Sequence, residues 1–273
     1  MLYNNWNGTG SVTKVMKQKF NKIPGPIRGI IALLFWVAVW WILSLAVGRE
    51  VLIPTPLRVF KRLFELLRTA DFYRIVGLSL LRILAGFSAA IVLGVLFGVL
   101  SAKLPPVDLL LSPLLSVIRA TPVASFIILA LVFLNKQLIP GAIAFLMVFP
   151  VMCGNIRTGI LETDRGLLEM AQVFRLKRSA VLREIQLPAV RPYFIAAFRN
   201  ALGMAWKAGV AAEVLCNPGY SIGRMLYESK IYLETPDLFA WTLTVIIMSV
   251  ILEKLLLFFL NRTEKKRKGG ENL

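Results

Sequence analysis

The sequence predicts an all-α membrane protein with six transmembrane helices, and two observations carry this prediction. Hydrophobic residues make up 57% of the 273 residues and charged residues only 17%, and the mean hydropathy of +0.71 lies outside the range usual for soluble domains. The apolar residues also collect into six segments, each near the length of about 20 residues that a helix needs to cross a bilayer. These segments run approximately from 29 to 47, 78 to 101, 108 to 134, 138 to 157, 193 to 215 and 238 to 260. Helices are expected because lipid-exposed backbone must satisfy its hydrogen bonds internally, and the segments are too long and too uniformly apolar for barrel strands.

The net charge of +17 indicates orientation in a membrane rather than binding to nucleic acid, because the basic residues do not follow one soluble face. Lys and Arg are concentrated in residues 1–28, 160–192 and 263–273. With six spans these regions fall on one side, which the positive-inside rule makes cytoplasmic. We therefore expect a basic N-terminal segment (1–28), a transmembrane domain (29–262) and a basic tail (263–273), with both termini in the cytoplasm and the spans in the lipid of the plasma membrane.

The loop between the first two apolar segments does not fit this charge rule. Residues 48–77 contain six Lys and Arg residues, yet the topology places the loop outside. Within it, residues 56–69 carry apolar residues on one helical face and charged residues on the other, which predicts a helix lying on the outer leaflet. The alternative is a different orientation of the first span, with this helix in the cytoplasm.

A stripe of small residues runs along the second apolar segment. Gly86, Ala90, Gly94, Gly98 and Ala102 recur every four residues, and such a stripe lets another helix approach closely. The partner helix can belong to the same subunit or to a second subunit, and the sequence leaves both possibilities open.

The segment 160–192 is charged and has a helical pattern, although it lies between two apolar segments. Thr163 or Asp164 can cap a first helix. A second short helix is expected to begin near Ser179 and to end before Pro188. The first helix has an apolar stripe, which an ordinary solvated loop would not require and which suits a groove in a partner protein. The stripe consists of Leu167, Leu168, Ala171 and Phe174.

Residues 169–188, EMAQVFRLKRSAVLREIQLP, resemble the EAA loop of permease subunits in ATP-binding-cassette (ABC) importers. That pattern is roughly E-A-A, a Gly after three further residues, and later an apolar residue followed by Leu-Pro. The matching residues are Glu169, Ala171, Ile185, Leu187 and Pro188. Two positions depart from the pattern, with Met170 at the second position and Arg175 in place of the Gly. A residue other than Gly in a left-handed turn costs about 1 kcal/mol or more, so the geometry of this elbow needs a structure.

The resemblance extends over about residues 30–262 and is to the nitrate, sulfonate and taurine branch of these permeases. The similar stretches are 53–62, 78–87, 117–123, 188–203 and 205–215. It implies the six-span type I importer permease fold, a homodimer of permeases, a cytoplasmic ABC ATPase dimer that receives each EAA helix, and an extracytoplasmic substrate-binding protein. We therefore expect coupling to the ATPase through Glu169, Ala171, Phe174, Arg175, Leu187 and Pro188.

The sequence itself agrees with a subunit that is not an enzyme. The phosphate-binding motif G-x-x-x-x-G-K-[ST] does not occur, so ATP hydrolysis is expected on a separate polypeptide. Histidine is absent and no carboxylates or thiols cluster in the sequence, so neither a metal site nor a cofactor is predicted.

Polar residues inside the apolar segments are candidates for the substrate pathway, because ionisable groups at membrane depth tend to face a cavity or a partner. The candidates are Arg119, Pro122, Asn200, Trp206, Lys207 and Glu213. Pro122 is expected to bend or interrupt its helix. Lys207 favours an anion, and Glu213 nearby would allow a zwitterion. Ion pairs with neighbouring helices are the alternative for both, whereas Arg82, Arg199 and Lys254 are assigned to anchoring at helix ends.

The predicted function is the permease subunit of an ATP-driven ABC importer for a small polar solute such as nitrate, a sulfonate or taurine. A stand-alone channel or secondary transporter is the alternative, with Arg119, Lys207 and Glu213 as its permeation site. Secondary transporters often show paired repeats with broken helices near the midplane, and the sequence offers a single such break, at Pro122.

Overall fold

The computed structural model describes residues 25–270, which are mainly helical, as the sequence predicts. The helices are α1 (Gly25–Val47), α2 (Pro56–Leu67), α3 (Ala70–Lys103), α4 (Pro105–Ala120), α5 (Val123–Phe133), α6 (Ile139–Leu161), α7 (Arg165–Val173), α8 (Arg178–Ala180), α9 (Leu187–Cys216), α10 (Ile222–Ile231) and α11 (Thr235–Gly270), with a π-helix (Val181–Gln186) between α8 and α9. Most of the predicted segment 1–28 and the last three residues of the predicted tail 263–273 lie outside the described residues. The rest of the tail continues α11 as a helix.

Four helices in this part of the chain are long and apolar enough to cross a membrane, and α4 with α5 makes a fifth if the bent pair is counted as one span. The four are Gly29–Val47, Ala70–Lys103, Ile139–Leu161 and Thr235–Phe258. The predicted segment 193–215 lies inside α9, which has 30 residues but carries several charged side chains. Length and apolarity therefore do not confirm the count of six spans.

The predicted third span, 108–134, consists of two helices. It is broken between α4 and α5 with a bend of 105°. Thr121 has an extended backbone with ψ of 130°, because the ring of a following proline disfavours the helical conformation, and Pro122 supplies no N–H to continue the helix. The break expected at Pro122 is confirmed.

The chain divides into two compact units between Lys61 and Arg62. In the first unit, α1 exposes nearly all of its described side chains, as expected for a helix surrounded by lipid. Its one buried side chain, Ser44, donates a hydrogen bond of 2.9 Å to the carbonyl of Ile53 in the following loop.

The second unit is built on three helices, because α6 packs along both α3 and α9. Their contact surfaces form one apolar core that also takes residues from α11. Phe72 of α3 stacks on Trp241 of α11 with ring centroids 5.3 Å apart. The indole N–H of Trp206 donates to the carbonyl of Val245 at 3.1 Å, which joins α9 to α11.

The stripe of small residues on α3 packs inside the subunit, against α6. A Cβ atom added to Gly86 would lie 1.9 Å from the carbonyl oxygen of Gly141, and one added to Gly94 would lie 2.6 Å from the Cβ of Met152. Such distances are impossible for real side chains, so the two helix backbones touch because these positions lack a side chain. Of the two interpretations left open by the sequence, the structure gives packing within the subunit.

The predicted amphipathic helix is present as α2. Its apolar residues divide into two groups, because Val59 and Leu63 are buried whereas Leu57, Phe60 and Phe64 are exposed. The exposed group keeps the amphipathic pattern expected of a helix on a membrane surface. Its placement on the outer leaflet stays a prediction.

Gly86→Ala is expected to destabilise the protein, because the added methyl group forces α3 and α6 apart at their closest contact. Overpacking of this kind costs about 1–3 kcal/mol, which should lower the midpoint of thermal unfolding in detergent. The matched control is Gly77→Ala, since a Cβ on Gly77 meets no atom within 4 Å and Ala in a helix is favoured by about 0.5–1 kcal/mol over Gly. Equal midpoints for the two variants would contradict the backbone contact.

Candidate functional site

The segment between α6 and α9 begins with a capped helix, as predicted. Asp164 is the N-cap of α7, and its carboxylate accepts hydrogen bonds from the backbone N–H groups of Gly166 at 2.7 Å and Leu167 at 3.4 Å. Thr163, the other candidate cap, is buried and donates to the carbonyl of Gly159 at 3.3 Å instead. The start of α7 is therefore fixed by Asp164, and Thr163 beside it is hydrogen-bonded to α6.

The elbow after α7 has the geometry that the Gly of the EAA pattern would provide, although Arg175 occupies the position. Arg175 has a left-handed backbone with φ of 51°. Its N–H donates to the carbonyl of Gln172 at 3.0 Å, and the N–H of Leu176 donates to the carbonyl of Ala171 at 2.9 Å. These two bonds form the Schellman motif, which ends many helices on a left-handed residue. The turn is therefore kept, at a cost of about 1 kcal/mol for the side chain of Arg175.

The exposed apolar face of α7 differs from the predicted stripe. Ala171 is 3% exposed and Leu168 is half-buried, because α7 packs against the π-helix of its own chain with this side. The exposed apolar residues are Leu167, Met170, Val173, Phe174 and Leu176, which we call the α7 face. Val173 and Phe174 are the most open of them, at 80% and 70%. Glu169 is exposed on the same helix.

The second short helix does not end before Pro188, so this prediction is wrong. The π-helix runs directly into α9, with Leu187 and Pro188 in the first turn of α9. The N–H of Leu187 donates to the carbonyl of Leu182, five residues back. Because Pro188 has no N–H to give, the wider π turn lets the helical path pass through it. The segment after the elbow is thus a rigid extension of α9.

Glu213 lies inside the protein, where it is 0% exposed. Its carboxylate accepts hydrogen bonds from the hydroxyl of Ser79 at 2.8 Å and the N–H of Gly223 at 3.2 Å. The guanidinium of Arg82 lies 3.5 Å from its other oxygen. These contacts favour the alternative left open by the sequence, an ion pair with a neighbouring helix. The assignment of Arg82 to anchoring at a helix end is wrong.

The same groups hold the loop between α9 and α10. Arg82 also donates to the carbonyls of Gly219 at 2.9 Å and Tyr220 at 3.2 Å, and the hydroxyl of Ser79 accepts from the N–H of Ile222 at 3.0 Å. The loop includes two left-handed residues other than Gly, Asn217 and Tyr220, a conformation that persists only when the surroundings fix it. We call Ser79, Arg82, Glu213 and Gly223 the Glu213 network.

Three of the predicted pathway residues meet at one cavity between α9 and α11. Asn200, Trp206 and Lys207 line a space of about 240 Å³, together with Arg199 and Glu253 among others. Trp206 is itself 1% exposed and hydrogen-bonded, so it forms a wall, whereas Asn200 and Lys207 are exposed.

The other two pathway candidates meet at the break between α4 and α5. Arg119 and Pro122 line a second cavity of about 300 Å³, closed on the other side by α6 through Pro150. The Nε of Arg119 donates to the carbonyl of Leu115 at 3.2 Å, within its own helix. Met204 of α9 lines both cavities, so they are neighbours, and neither cavity includes Glu213.

Arg119, Arg199 and Lys207 are the cations that line these two cavities. None of them forms an ion pair with a described side chain, whereas Arg82 and Arg157 each pair with a carboxylate. An unpaired cation beside a cavity is suited to attract an anion.

The fold and the sequence agree on a family. The model of the binding-protein-dependent transport system inner membrane component matches residues 90–269. This chain belongs to that family. It is therefore an ABC importer permease with several spans in the membrane, and the match includes α7, the elbow and both cavities.

The names of three curated relatives of this permease state a transported solute. It is 28% identical to the putative aliphatic sulfonates transport permease protein SsuC of Bacillus subtilis over 94% of each chain. It is 28% identical to the bicarbonate transport system permease protein CmpB of Synechococcus elongatus, over 79% of this chain and 80% of the relative. It is also 28% identical to the nitrate import permease protein NrtB of Synechocystis, over 76% of this chain and 78% of the relative.

Two solved structures share the fold of this permease. One is a crystal structure of an amino acid ABC transporter with histidines, with a TM-score of 0.54 and 20% identity over 69% of this chain and 93% of the other. The second is a bacterial alginate ABC transporter in complex with an alginate pentasaccharide-bound periplasmic protein, with a TM-score of 0.52 and 15% identity over 87% of this chain and 94% of the other.

Glu213→Ala is expected to destabilise the permease strongly. The variant leaves Arg82 largely buried without its carboxylate, and breaking a buried ion pair from one side costs about 3–5 kcal/mol. A lower midpoint of thermal unfolding and faster proteolysis of the loop 217–221 would report the loss. The control is Glu213→Gln combined with Arg82→Gln, which removes both charges and should recover part of the stability. If Glu213→Ala were as stable as the wild type, this result would contradict the role of Glu213 in holding this loop.

Proposed function

We propose that this permease forms the membrane pathway for a small inorganic or organic anion and is driven by a separate cytoplasmic ATPase dimer that binds the α7 face. The observation that carries the proposal is the α7 face itself. It is an exposed apolar surface on a short helix whose two ends are fixed by hydrogen bonds.

The attachment of α7 supports a coupling role. An apolar surface on a charged segment suits burial in a groove of a partner protein, and Glu169 offers a carboxylate to a cation of that partner. The helix is connected to α6 through the cap at Asp164 and to α9 through the π-helix. Displacement of α7 by the partner therefore acts on α6 and α9, two of the helices that line the cavities.

The proposed assembly contains two copies of the permease, the ATPase dimer and a binding protein outside the cell. Family membership and the folds of the two solved transporters support it. In this assembly α9 also crosses the membrane, which gives six spans and places α7 and both termini in the cytoplasm. The charged residues of α9 argue for this location rather than against it, since Glu213 is paired and Lys207 faces a cavity. Family membership favours this importer over a stand-alone channel or secondary transporter.

A small anion is the proposed solute class. The names of the relatives include sulfonates, bicarbonate and nitrate, which are all small anions. Arg119 and Lys207 provide positive charge at the two neighbouring cavities, and Glu213 does not reach either of them. The argument for a zwitterion depended on Glu213, but Glu253 lines the cavity of Lys207, so a zwitterion such as taurine stays an alternative to nitrate and simple sulfonates.

Val173→Ser with Phe174→Ser is expected to weaken binding of the ATPase. The two side chains are the most exposed part of the α7 face, and burying each large apolar side chain contributes about 1.5–3 kcal/mol. Co-purification of the ATPase expressed with the tagged permease measures the effect. Tyr232→Ser is the matched control, because this aromatic residue is 72% exposed at the turn before α11. Undiminished co-purification with the double variant would refute coupling through this face.

Arg119→Gln and Lys207→Gln are each expected to lower nitrate and ethanesulfonate uptake by about tenfold. This estimate assumes that each charge contributes about 1.4 kcal/mol to attracting the anion in a partly screened cavity. Uptake is measured in vesicles that contain the permease, its ATPase and its binding protein. Lys254→Gln is the control, since Lys254 is exposed on α11 and lines neither cavity. Unchanged uptake in both variants would remove these cations from the pathway.

A further inference from the structure

Near the C-terminal end of α6, an ion pair and a hydroxyl group connect three helices. Arg157 of α6 forms an ion pair with Asp108 on α4, in which Nη2 donates a hydrogen bond to Oδ2 at 2.7 Å while Nε lies 2.6 Å from Oδ1 without hydrogen-bond geometry. The hydroxyl of Ser101 at the end of α3 donates to the same carboxylate at 2.6 Å. A hydrogen bond between a guanidinium and a carboxylate is charge-assisted and stronger than one between neutral groups. The pair therefore fixes the start of α4 to α6.

The position of Arg157 places this pair next to the coupling segment. Arg157 lies about one helical turn before the end of α6 at Leu161, and the cap of α7 follows after a short link at Asp164. A displacement of α7 must move this last turn of α6. Asp108, which is paired with Arg157, moves with this turn.

The other end of α4 reaches the cavity lined by Arg119 and Pro122, which we call the Arg119 cavity. From Asp108 to Arg119 the helix rises about 16 Å, at about 1.5 Å per residue, and it ends at the break before Pro122. Only Leu115 and Ile118 are buried among the side chains of α4. Because apolar packing holds this helix weakly, the ion pair at Asp108 is a specific attachment of α4 to the rest of the second unit.

Between the ion pair and the cavity, α6 contains a point at which it can bend. Pro150 lies inside α6, and an interior proline removes a backbone hydrogen bond and weakens the helix there. On one side of Pro150, α6 is packed backbone to backbone on α3 at Gly141. On the other side, α6 also packs backbone to backbone on α3 at Gly98, and Arg157 follows in the last turns of the helix. Pro150 itself lines the Arg119 cavity, so a bend at this residue changes the wall opposite Arg119.

We propose that the Asp108–Arg157 ion pair makes α4 move with the C-terminal end of α6, so that displacement of α7 changes the Arg119 cavity. This inference rests on the proposed function, because it requires α7 to be moved by an ATPase. Asp108 and Arg157 are positioning residues in this mechanism, since neither lines either cavity. Neither residue belongs to the α7 face.

Charge reversal tests the proposal in vesicles that contain the permease, its ATPase and its binding protein. Asp108→Arg and Arg157→Asp are each expected to leave the ATPase bound and active while nitrate and ethanesulfonate uptake per ATP hydrolysed falls by about fivefold or more, within the range found for residues that carry coupling. The double variant Asp108→Arg/Arg157→Asp restores a pair between the same helices and should return the ratio to within about twofold of the wild type. Rescue of this ratio is not expected of a residue that only stabilises the fold.

Two further variants complete the experiment. Asp108→Asn has the same shape and removes only the charge, so it should fold and also lower uptake per ATP. It keeps the test decisive if a reversal variant fails to fold. Glu50→Gln removes the exposed ion pair between Glu50 and Arg58, and should leave the ratio unchanged.

The outcomes separate this inference from the proposed function. Wild-type permease that shows no ATP-driven uptake of either anion overturns both. Wild-type permease that is active, with Asp108→Asn equally efficient per ATP, overturns the inference alone. A double reversal no better than the folded single variants, with the ATPase still bound, also overturns it.

Discussion

The contact on which the rest of the permease depends is the backbone approach of α3 to α6 at Gly86 and Gly141. Two helices that touch without side chains between them have little freedom to rotate or slide, because any shift brings backbone atoms into collision. This contact fixes the N-terminal half of α6, and further close contacts at Gly94 and Gly98 continue past Pro150. The C-terminal end of the same helix carries Arg157 and leads to α7. Packing on α3 along most of its length and connections to α4 and α7 at its end make α6 the central helix of the second unit.

Charged groups in the membrane domain fall into two kinds according to their partners. Glu213 is fully enclosed and has Arg82, a hydroxyl and a backbone N–H around it, so its charge is compensated where it lies. Arg119 and Lys207 lie beside cavities and form no ion pair within the described residues. The first kind holds helices and a loop together, and the second is available to a solute. Burial and pairing distinguish the two kinds where residue type alone does not.

Much of this arrangement could be predicted from local sequence patterns. The cap at Asp164, the break at Pro122 and the helix α2 depend on residues close together in the chain, and local hydrogen bonding or proline chemistry decides them. The count of spans could not be settled in this way, because α9 combines the length of a span with paired and cavity-facing charges that lower its apolarity. The stripe on α7 was assigned wrongly at Ala171, since only the π-helix packed beside it shows which side of α7 is covered.

Contacts distant in sequence were beyond prediction from one chain. Nothing near Ser79 or Arg82 indicates that Glu213, more than a hundred residues later, completes their hydrogen bonds. Asp108 and Arg157 lie on separate helices for the same reason, and no periodicity relates them. The family resemblance supplied the coupling segment and the class of protein. It did not supply these pairs, which depend on how this sequence packs.

The left-handed Arg175 has a consequence for the dynamics of α7. Leu233 after α10 has the same conformation, with φ of 58°, and Asn217 ends α9 with φ of 50°, so three described helix ends place a side chain where glycine would relieve strain. Helices that end on a strained residue fray more readily than those that end on glycine, because the native turn is closer in free energy to its unwound alternatives. The last turn of α7, which includes Val173, is therefore less stable than a turn closed by glycine, although two backbone hydrogen bonds hold it. The contour of the α7 face is thus less firmly set at Val173 than at the capped start of the helix.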